Sequence, residues 1–257
     1  MEDRKGKLYV VGTGPGSIDY ITVAARAAIE ESDVVVGFNT YVSLIKEILG
    51  NKEIITTSMT QEKDRCETAI NKALEGKTVS LVCGGDPGVY ALAGLVLELV
   101  KSYNEKGNIC DSLKIEIIPG VPALCSCAAL LGAPLMHDFA SISLSDRLTP
   151  WELIEKRLHT ASSADFVICL YNPKSKGRKD HLTRALNIIK AYRKHETPVG
   201  IVKSAVRENE QIIITSLDNI PVDDVDMHST VIIGNSTTFT YDKWIVTPRG
   251  YKLIDNK

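Results

Sequence analysis

Nothing limits the architecture of this chain more than a short stretch near its start. Leu8, Tyr9, Val10 and Val11 run directly into Gly12, Thr13, Gly14, Pro15 and Gly16. Adjacent β-branched residues favour a strand buried on both faces. Glycines without Cβ let the backbone turn sharply and let a ligand come close. A strand feeding such a loop places it at the sheet edge where α/β proteins bind ligands. A dinucleotide fingerprint fits poorly. It needs G-x-G-x-x-G, a helix opening on the last glycine and an acid at the end of the next strand, about 20 residues on. Here the spacing is G-x-G-P-G, Pro15 removes an amide donor, and the next strand, 33–37, leads into Phe38 and Asn39.

The same alternation recurs downstream. Residues 22–31 are rich in helix formers, and Val34 to Val36 form a short buried strand. Residues 62–75 predict an amphipathic helix with Cys66, Ala69, Ile70, Ala73 and Leu74 on one face, stopped by Gly76. A strand over 78–83 closes in Gly84, Gly85, Asp86, Pro87 and Gly88; a helix over 89–102 follows, then a strand over 114–118 ending in Pro119 to Ala123. The second half predicts a strand over 141–144 and a helix with Thr149 as N-cap, Pro150 at N1 and Glu152 at N3. A strand over 164–171, a basic helix over 180–194, and strands over 198–202, 211–215 and 230–233 complete it. This rhythm predicts an α/β fold with largely parallel sheets and some antiparallel pairing in the second half. The turn at 119–125 marks a boundary, giving domains 1–120 and 121–257.

Composition narrows the function. The chain has 257 residues, 44% hydrophobic and 24% charged, which suits one large domain or two small ones. A net charge of -2 supplies no global field for nucleic acid. No apolar run reaches membrane length, and the charged start, Met1 to Lys7, reads as no signal peptide. Cys66, Cys83, Cys110, Cys125, Cys127 and Cys169 are scattered. Cys83 and Cys169 sit in apolar runs as small hydrophobes. Cys125 and Cys127 lack the spacing of a zinc or redox pair. No metal site is expected, and a reducing cytoplasm suits the thiols.

Three turns at strand ends, 12–16, 84–88 and 119–123, are rich in Gly and Pro. They can enclose one ligand at a shared edge, or simply serve as strand exits. Asp86 can accept from ribose hydroxyls, or brace its own turn. The cations Lys174, Lys176, Arg178 and Lys179 follow a strand and can receive carboxylates or phosphates; a solvated loop is the other reading. His137 with Asp138, and Ser143, Ser145 and Asp146 with Arg147, offer acid–base pairs. No nucleophile elbow or H-E-x-x-H occurs, and His159, His181, His195 and His228 receive no role.

Taken together, the four segments 11–16, 84–88, 119–123 and 170–173 resemble the tetrapyrrole methylases, the class III S-adenosylmethionine (SAM)-dependent methyltransferases, in order and spacing across essentially the whole chain. Segments 36–41, 137–146, 148–152, 164–167 and 231–236 resemble the branch of that family that methylates C17 of a corrin precursor during cobalamin biosynthesis. The resemblance implies two α/β domains with a ligand cleft between them, a cytoplasmic homodimer, SAM as cofactor and a tetrapyrrole as small-molecule substrate, with no nucleic acid or membrane partner. Carried over by position, the SAM contacts are Pro15, Gly84, Gly85, Asp86, Val89, Pro122, Ala123, Asn172, Ala205 and Thr230. The substrate would meet Gly12, Gly14, Arg147, Lys174, Lys176 and Arg178, with Lys203 and Arg207 as further cations.

The implied chemistry is methyl transfer from a sulfonium to an electron-rich carbon. Alignment does most of that work, and the cofactor carries the reactive group. The resemblance also implies contraction of the macrocycle, which moves protons. Candidates for that role are His137, Asp138, Ser145 and Asp146, with Thr149 behind them; shaping the substrate site is the alternative. Two departures stand out. Several relatives carry an acid where this chain has Phe38 and Asn39, and Pro122 replaces a frequent Ser or Thr. A methylase for another ring position, a diphthamide-type enzyme and a non-enzymatic tetrapyrrole- or nucleotide-binding module are the competing readings.

Overall fold

The computed structural model describes residues 6–107, 113–175 and 177–252; Cys110 and Lys176 fall outside them. The chain forms two compact units, Met1–Ala123 and Leu124–Lys257.

The first unit contains β1 (Lys7–Gly12), α1 (Val23–Glu31), β2 (Val34–Phe38), α2 (Asn39–Leu44), β3 (Glu53–Thr57), α3 (Glu62–Leu74), β4 (Thr78–Cys83), α4 (Ala93–Glu105) and β5 (Lys114–Ile118). Its strands form one sheet in the order β3-β2-β4-β1-β5, with every pairing parallel. Strand alternation sends side chains to opposite faces. Leu8, Val10, Val34, Val36, Val79 and Leu81 pack with Cys66, Ala69, Ile70 and Val96 from α3 and α4. Tyr9, Val11, Val35 and Val82 pack with Ala25, Ala28, Ile29 and Val42 from α1 and α2. Both faces are covered, which is why these strands read as continuous apolar runs. Ile29 and Ile70 are fully buried; truncating either to Ala costs about 2–5 kcal/mol.

After α5 (Ala123–Leu131), the second unit runs through β6 (Gly132–Ala133), β7 (Phe139–Ser143), α6 (Trp151–Ser163), β8 (Val167–Tyr171), α7 (His181–Lys190), β9 (Pro198–Lys203), β10 (Gln211–Ser216), β11 (Ser229–Ile233), β12 (Phe239–Tyr241) and β13 (Trp244–Val246). The main sheet has the order β10-β9-β11-β8-β7. β7 and β8 are parallel, while β10 and β11 run antiparallel to their neighbours. One face packs on α6 and α7 through Trp151, Ile154, Leu158, Leu182, Leu186 and Ile189. On the other face Leu131 and Ile245 crowd Gly200, where a Cβ would collide with the Leu131 methyl groups.

Several expected boundaries move: β7 covers Phe139–Ser143, β8 starts only at Val167, α7 already ends at Lys190, and two helix starts shift. α4 starts at Ala93 because Tyr90 takes φ 54°, which no helix continues. α6 starts at Trp151 with Pro150 in the N-cap position and no side-chain cap bond, so Thr149 lies one residue too early to cap it.

Candidate functional site

All five strands of the first sheet point one way, so their exits share an edge. β4, β1 and β5 are adjacent, and their exit loops are the three glycine turns. Backbone groups stitch these loops together. Gly14 N donates to Gly85 O at 3.1 Å and Gly85 N donates to Gly14 O at 2.7 Å. Thr13 donates to Cys83 O from its backbone N at 2.9 Å and from Oγ1 at 3.0 Å. A Cβ on Gly12 would stand 2.6 Å from both Gly120 N and Gly85 O. One on Gly120 would collide with Gly85 O, so only glycine permits the approach. Pro122 and Ala123 lie across from Gly85, at 3.6 and 3.8 Å from where its Cβ would stand.

Asp86 joins two of these loops. Its Oδ1 accepts from Gly88 N at 2.8 Å and its Oδ2 from Gly120 N at 3.1 Å. The first bond is the turn-bracing contact; the second clamps the β4 loop to the β5 loop. Val89 N donates to Asp86 O at 3.2 Å. A carboxylate offers about four lone-pair sites, so both oxygens keep capacity for a ligand. Along the same edge, the Tyr41 ring sits against Gly84, where a Cβ would meet it. Phe38 packs edge-on to Tyr41 at 5.4 Å between centroids.

In the second sheet, the exits of β7, β8 and β9 and the entry of β11 share one edge. Asn172 and Ala205 stand there just past β8 and β9, and Thr230 lies in β11 between them. Asn172 Nδ2 donates to Ser143 Oγ at 3.0 Å, and Ser145 N donates to the same oxygen at 3.3 Å. Tyr171 Oη accepts from Leu124 N at 2.7 Å. The backbone is strained here: Asn172, Ser204 and Val206 have φ 52°, 51° and 53°. For non-glycine residues this costs about 1–3 kcal/mol each and concentrates at functional sites.

The four acid–base candidates separate. His137 and Asp138 precede β7 and Ser145 and Asp146 follow it, with about 16 Å of strand between. His137 Nδ1 accepts from Asp138 N at 2.8 Å and lies 3.6 Å from Asp138 Oδ2. Both residues line a cavity of about 410 Å³ with Asp165, Asn235 and Arg249. Asp146 instead meets His181, which sequence reasoning had left without a role. His181 Nε2 lies 3.0 Å from Asp146 Oδ2, close but outside hydrogen-bond geometry. Contact with His181 holds the Asp146 carboxyl below the usual range. Trp151 packs edge-on to His181 at 4.6 Å between centroids, and Arg184 lies 4.2 Å over the Trp151 ring. The available signal was the position of His181, at the first turn of the helix that follows the basic loop.

Two expected substrate cations are engaged within the chain. Lys174 Nζ donates to Val222 O at 3.0 Å and lies 3.4 Å from Asp223 Oδ1. Lys203 pairs with Asp226 at 2.7 Å. Arg178 pairs its backbone with Ser175, while Arg147 is exposed. Among the described residues no helix is long and apolar enough to cross a membrane. Burial pushes the Cys66 thiol up to about 12 and those of Cys83 and Cys127 to about 11, leaving them unreactive.

Comparison with known proteins adds to this geometry. The model of the family described as Tetrapyrrole (Corrin/Porphyrin) Methylases matches residues 7–221. The chain is 50% identical over 248 residues to the "Cobalt-factor III methyltransferase" of Priestia megaterium, covering 96% of this chain and 46% of that protein, so it spans about half the length of that relative. It is 48% identical over 246 residues to the "Probable cobalt-factor III C(17)-methyltransferase" of Salmonella typhimurium, covering 96% of this chain and 100% of that protein. Identity to the "Precorrin-3B C(17)-methyltransferase" of a Sinorhizobium species is 37% over 252 residues, covering 96% and 97%. The crystal structure of the methyltransferase CobJ superposes with a TM-score of 0.88 at 34% identity, covering 95% of this chain and 100% of that one. A Thermus thermophilus uroporphyrin-III C-methyl transferase complexed with S-adenyl homocysteine shares the fold, with a TM-score of 0.66 at 22% identity, covering 89% and 97%. With its family model matched over most of its length and relatives at this identity, the chain belongs to the tetrapyrrole (corrin/porphyrin) methylases.

Proposed function

We propose that this chain transfers a methyl group from SAM to C17 of a reduced tetrapyrrole, with contraction of the macrocycle, in cobalamin biosynthesis. The observation that carries this reading is the 48% identity over the whole of the Salmonella relative. Cobalt-factor III is the favoured substrate over precorrin-3B, because identity to relatives named for the cobalt form reaches 50% and to the Sinorhizobium relative named for precorrin-3B is 37%.

The first sheet's loop cluster suits SAM. Asp86 keeps lone pairs for ribose hydroxyls or an ammonium group, and the glycine loops leave backbone open to close approach. Gly12, Gly14, Pro15, Gly84, Gly85, Val89, Pro122 and Ala123 complete the proposed set in that unit. Asn172, Ala205 and Thr230 contribute to cofactor affinity from the second. Bound SAM supplies an electrophilic methyl group on a sulfonium. The chain's own work is to hold the accepting carbon in line with it. A macrocycle that accepts a methyl cation gains one positive charge, discharged by losing one proton to a base. We assign that proton to the Asp146–His181 pair in preference to His137 and Asp138, because Asp146 shares its sheet edge with Asn172 and Thr230. Arg147, Arg178 and Lys176 remain proposed contacts for substrate carboxylates; Lys176 lies outside the described residues. A cytoplasmic homodimer belongs to the same proposal. The buried free thiols support the compartment, and light scattering tests the dimer.

Incubation with methyl-labelled SAM and each substrate form provides the test, read by product mass and absorption spectrum. The expected result is one methyl incorporated into cobalt-factor III with a ring-contracted product. Lack of incorporation into either form overturns the proposal.

A further inference from the structure

The acidic arms of a tetrapyrrole need cations, and the first unit holds one that the sequence reading passed over. Arg65, on α3, is only 5% exposed. Its Nε donates to Thr57 Oγ1 at 2.6 Å and its Nη2 to Ser58 O at 2.9 Å. The guanidinium carbon lies 5.7 Å from the centre of the Phe38 ring. A guanidinium carries five N–H donors, so most of its capacity has no acceptor among the described residues. No described Asp or Glu stands within the 4.0 Å of an ion pair with it.

A buried charge is costly unless it is paired, and the molecule shows what pairing looks like. Arg193, 9% exposed, donates to the carbonyls of Ser162, Phe166 and Gly234 at 2.6, 2.9 and 3.3 Å and lies 3.3 Å from the Asp165 carboxylate. Arg65 has the same burial without the counter-charge. Its place in the fold matters too. Thr57 ends β3 and Phe38 ends β2, so the guanidinium stands at the exit edge of the first sheet. From there Phe38, Tyr41 and Gly84 touch in succession along that edge to the glycine loops.

We propose that Arg65 is a carboxylate-binding site that receives an acidic arm of the tetrapyrrole, its guanidinium aimed by Thr57 and Ser58 and walled by Phe38. The proposal rests on the methyltransferase reading above. A bound carboxylate supplies the missing counter-charge and takes two parallel N–H bonds from the fork. The alternative source of a carboxylate is the amino-acid end of SAM, and the test separates the two.

The experiment titrates the full chain with uroporphyrin III, followed by fluorescence, and separately with SAM, followed by calorimetry. Arg65→Gln should weaken uroporphyrin binding on the order of tenfold or more, with SAM affinity unchanged. Arg65→Lys keeps the charge but loses the fork, and should weaken porphyrin binding severalfold; it serves as the test if the Gln variant does not fold. Thr57→Val should give a smaller loss. Wild-type porphyrin affinity in a folded Arg65→Gln or Arg65→Lys variant overturns the proposal, as does a loss confined to SAM. A wild-type chain that binds neither ligand overturns the methyltransferase reading, and this proposal with it.

Discussion

In the first unit, five parallel strands release loops that close on one another through backbone amides and carbonyls, with glycine at the tightest approaches. In the second, a mixed sheet gathers Asn172, Ser143, Asp146 and His181 through side chains, and holds Asn172, Ser204 and Val206 in left-handed backbone without glycine. One edge is built by removing side chains and the other by placing them. A site made of backbone tolerates almost any change except added volume. A site made of side chains tolerates volume at its rim and fails when one functional group is lost. The two halves should therefore break differently.

The largest effect is expected from Gly120→Ala. Its Cβ would collide with Gly85 O and crowd Gly12 Cα at 2.8 Å, and neither backbone can rotate away. Overpacking of this kind costs about 1–3 kcal/mol, and the loops it separates are the proposed SAM site. Urea unfolding should show the loss, and calorimetry should show no SAM binding. A folded variant with wild-type SAM affinity would break the contrast at its first term.

The second-unit counterpart is His181→Gln or Asp146→Asn. Removing a general acid–base group costs about 10²–10⁴ in rate. The expected outcome is a fall of that size in kcat, with SAM affinity and melting temperature near wild type. An equal fall in SAM affinity would mean the pair shapes the edge and does not handle the proton.

Asp86 lies between the two modes, a side chain that organises backbone. Hydrogen bonds to a charged group contribute about 1.5–3 kcal/mol. Asp86→Ala removes the acceptor of Gly120 N and of Gly88 N together. We expect on the order of tenfold weaker SAM binding along with lower stability. Stability lost with SAM affinity intact would make Asp86 a clamp and nothing more.

How much of this was legible beforehand follows the same division. Apolar runs announced themselves: the buried β4 and the edge strand β5, with Ile115, Ile117 and Ile118, begin and end where those runs do, at Thr78–Cys83 and Lys114–Ile118. Backbone-rich turns were equally visible, because Gly and Pro carry their conformations in their identity. β3 was missed because Glu53–Thr57 is an edge strand with largely exposed residues and no apolar run. α5 was missed because Ala123–Leu131 is apolar all round and offers no helical period. The side-chain pairings were not legible either. Asp146 and His181 are joined only by the packing of α7 against the sheet. Arg65 hid on the stripe of Ala69 and Ala73, where a cation at a buried position was the clue.

The smallest effect lies away from both edges and sets a baseline for the second unit. His195 Nδ1 lies 2.6 Å from Asp218 Oδ2, and Lys190 reaches Asp218 Oδ1 at 2.9 Å. The hydrogen bond to Asp218 raises the His195 pKa, and the bonds from His195 and then Lys190 lower that of Asp218. A histidine raised on folding contributes stability that is fully present below its unfolded value, about 6.5, and is lost as pH rises through the folded one. A carboxylate lowered on folding contributes above about 3.9 and loses that contribution as pH falls through its folded value. The pair therefore acts between these limits, and Lys190 alone holds Asp218 above them. Both groups are exposed, so solvent screens the pair. Replacing His195 by Gln should lower the melting temperature by about one degree or less at pH 5.5, and by less still at pH 8.5. A larger drop at pH 8.5 would mean that the neutral ring, and not its charge, holds the β10 exit in place.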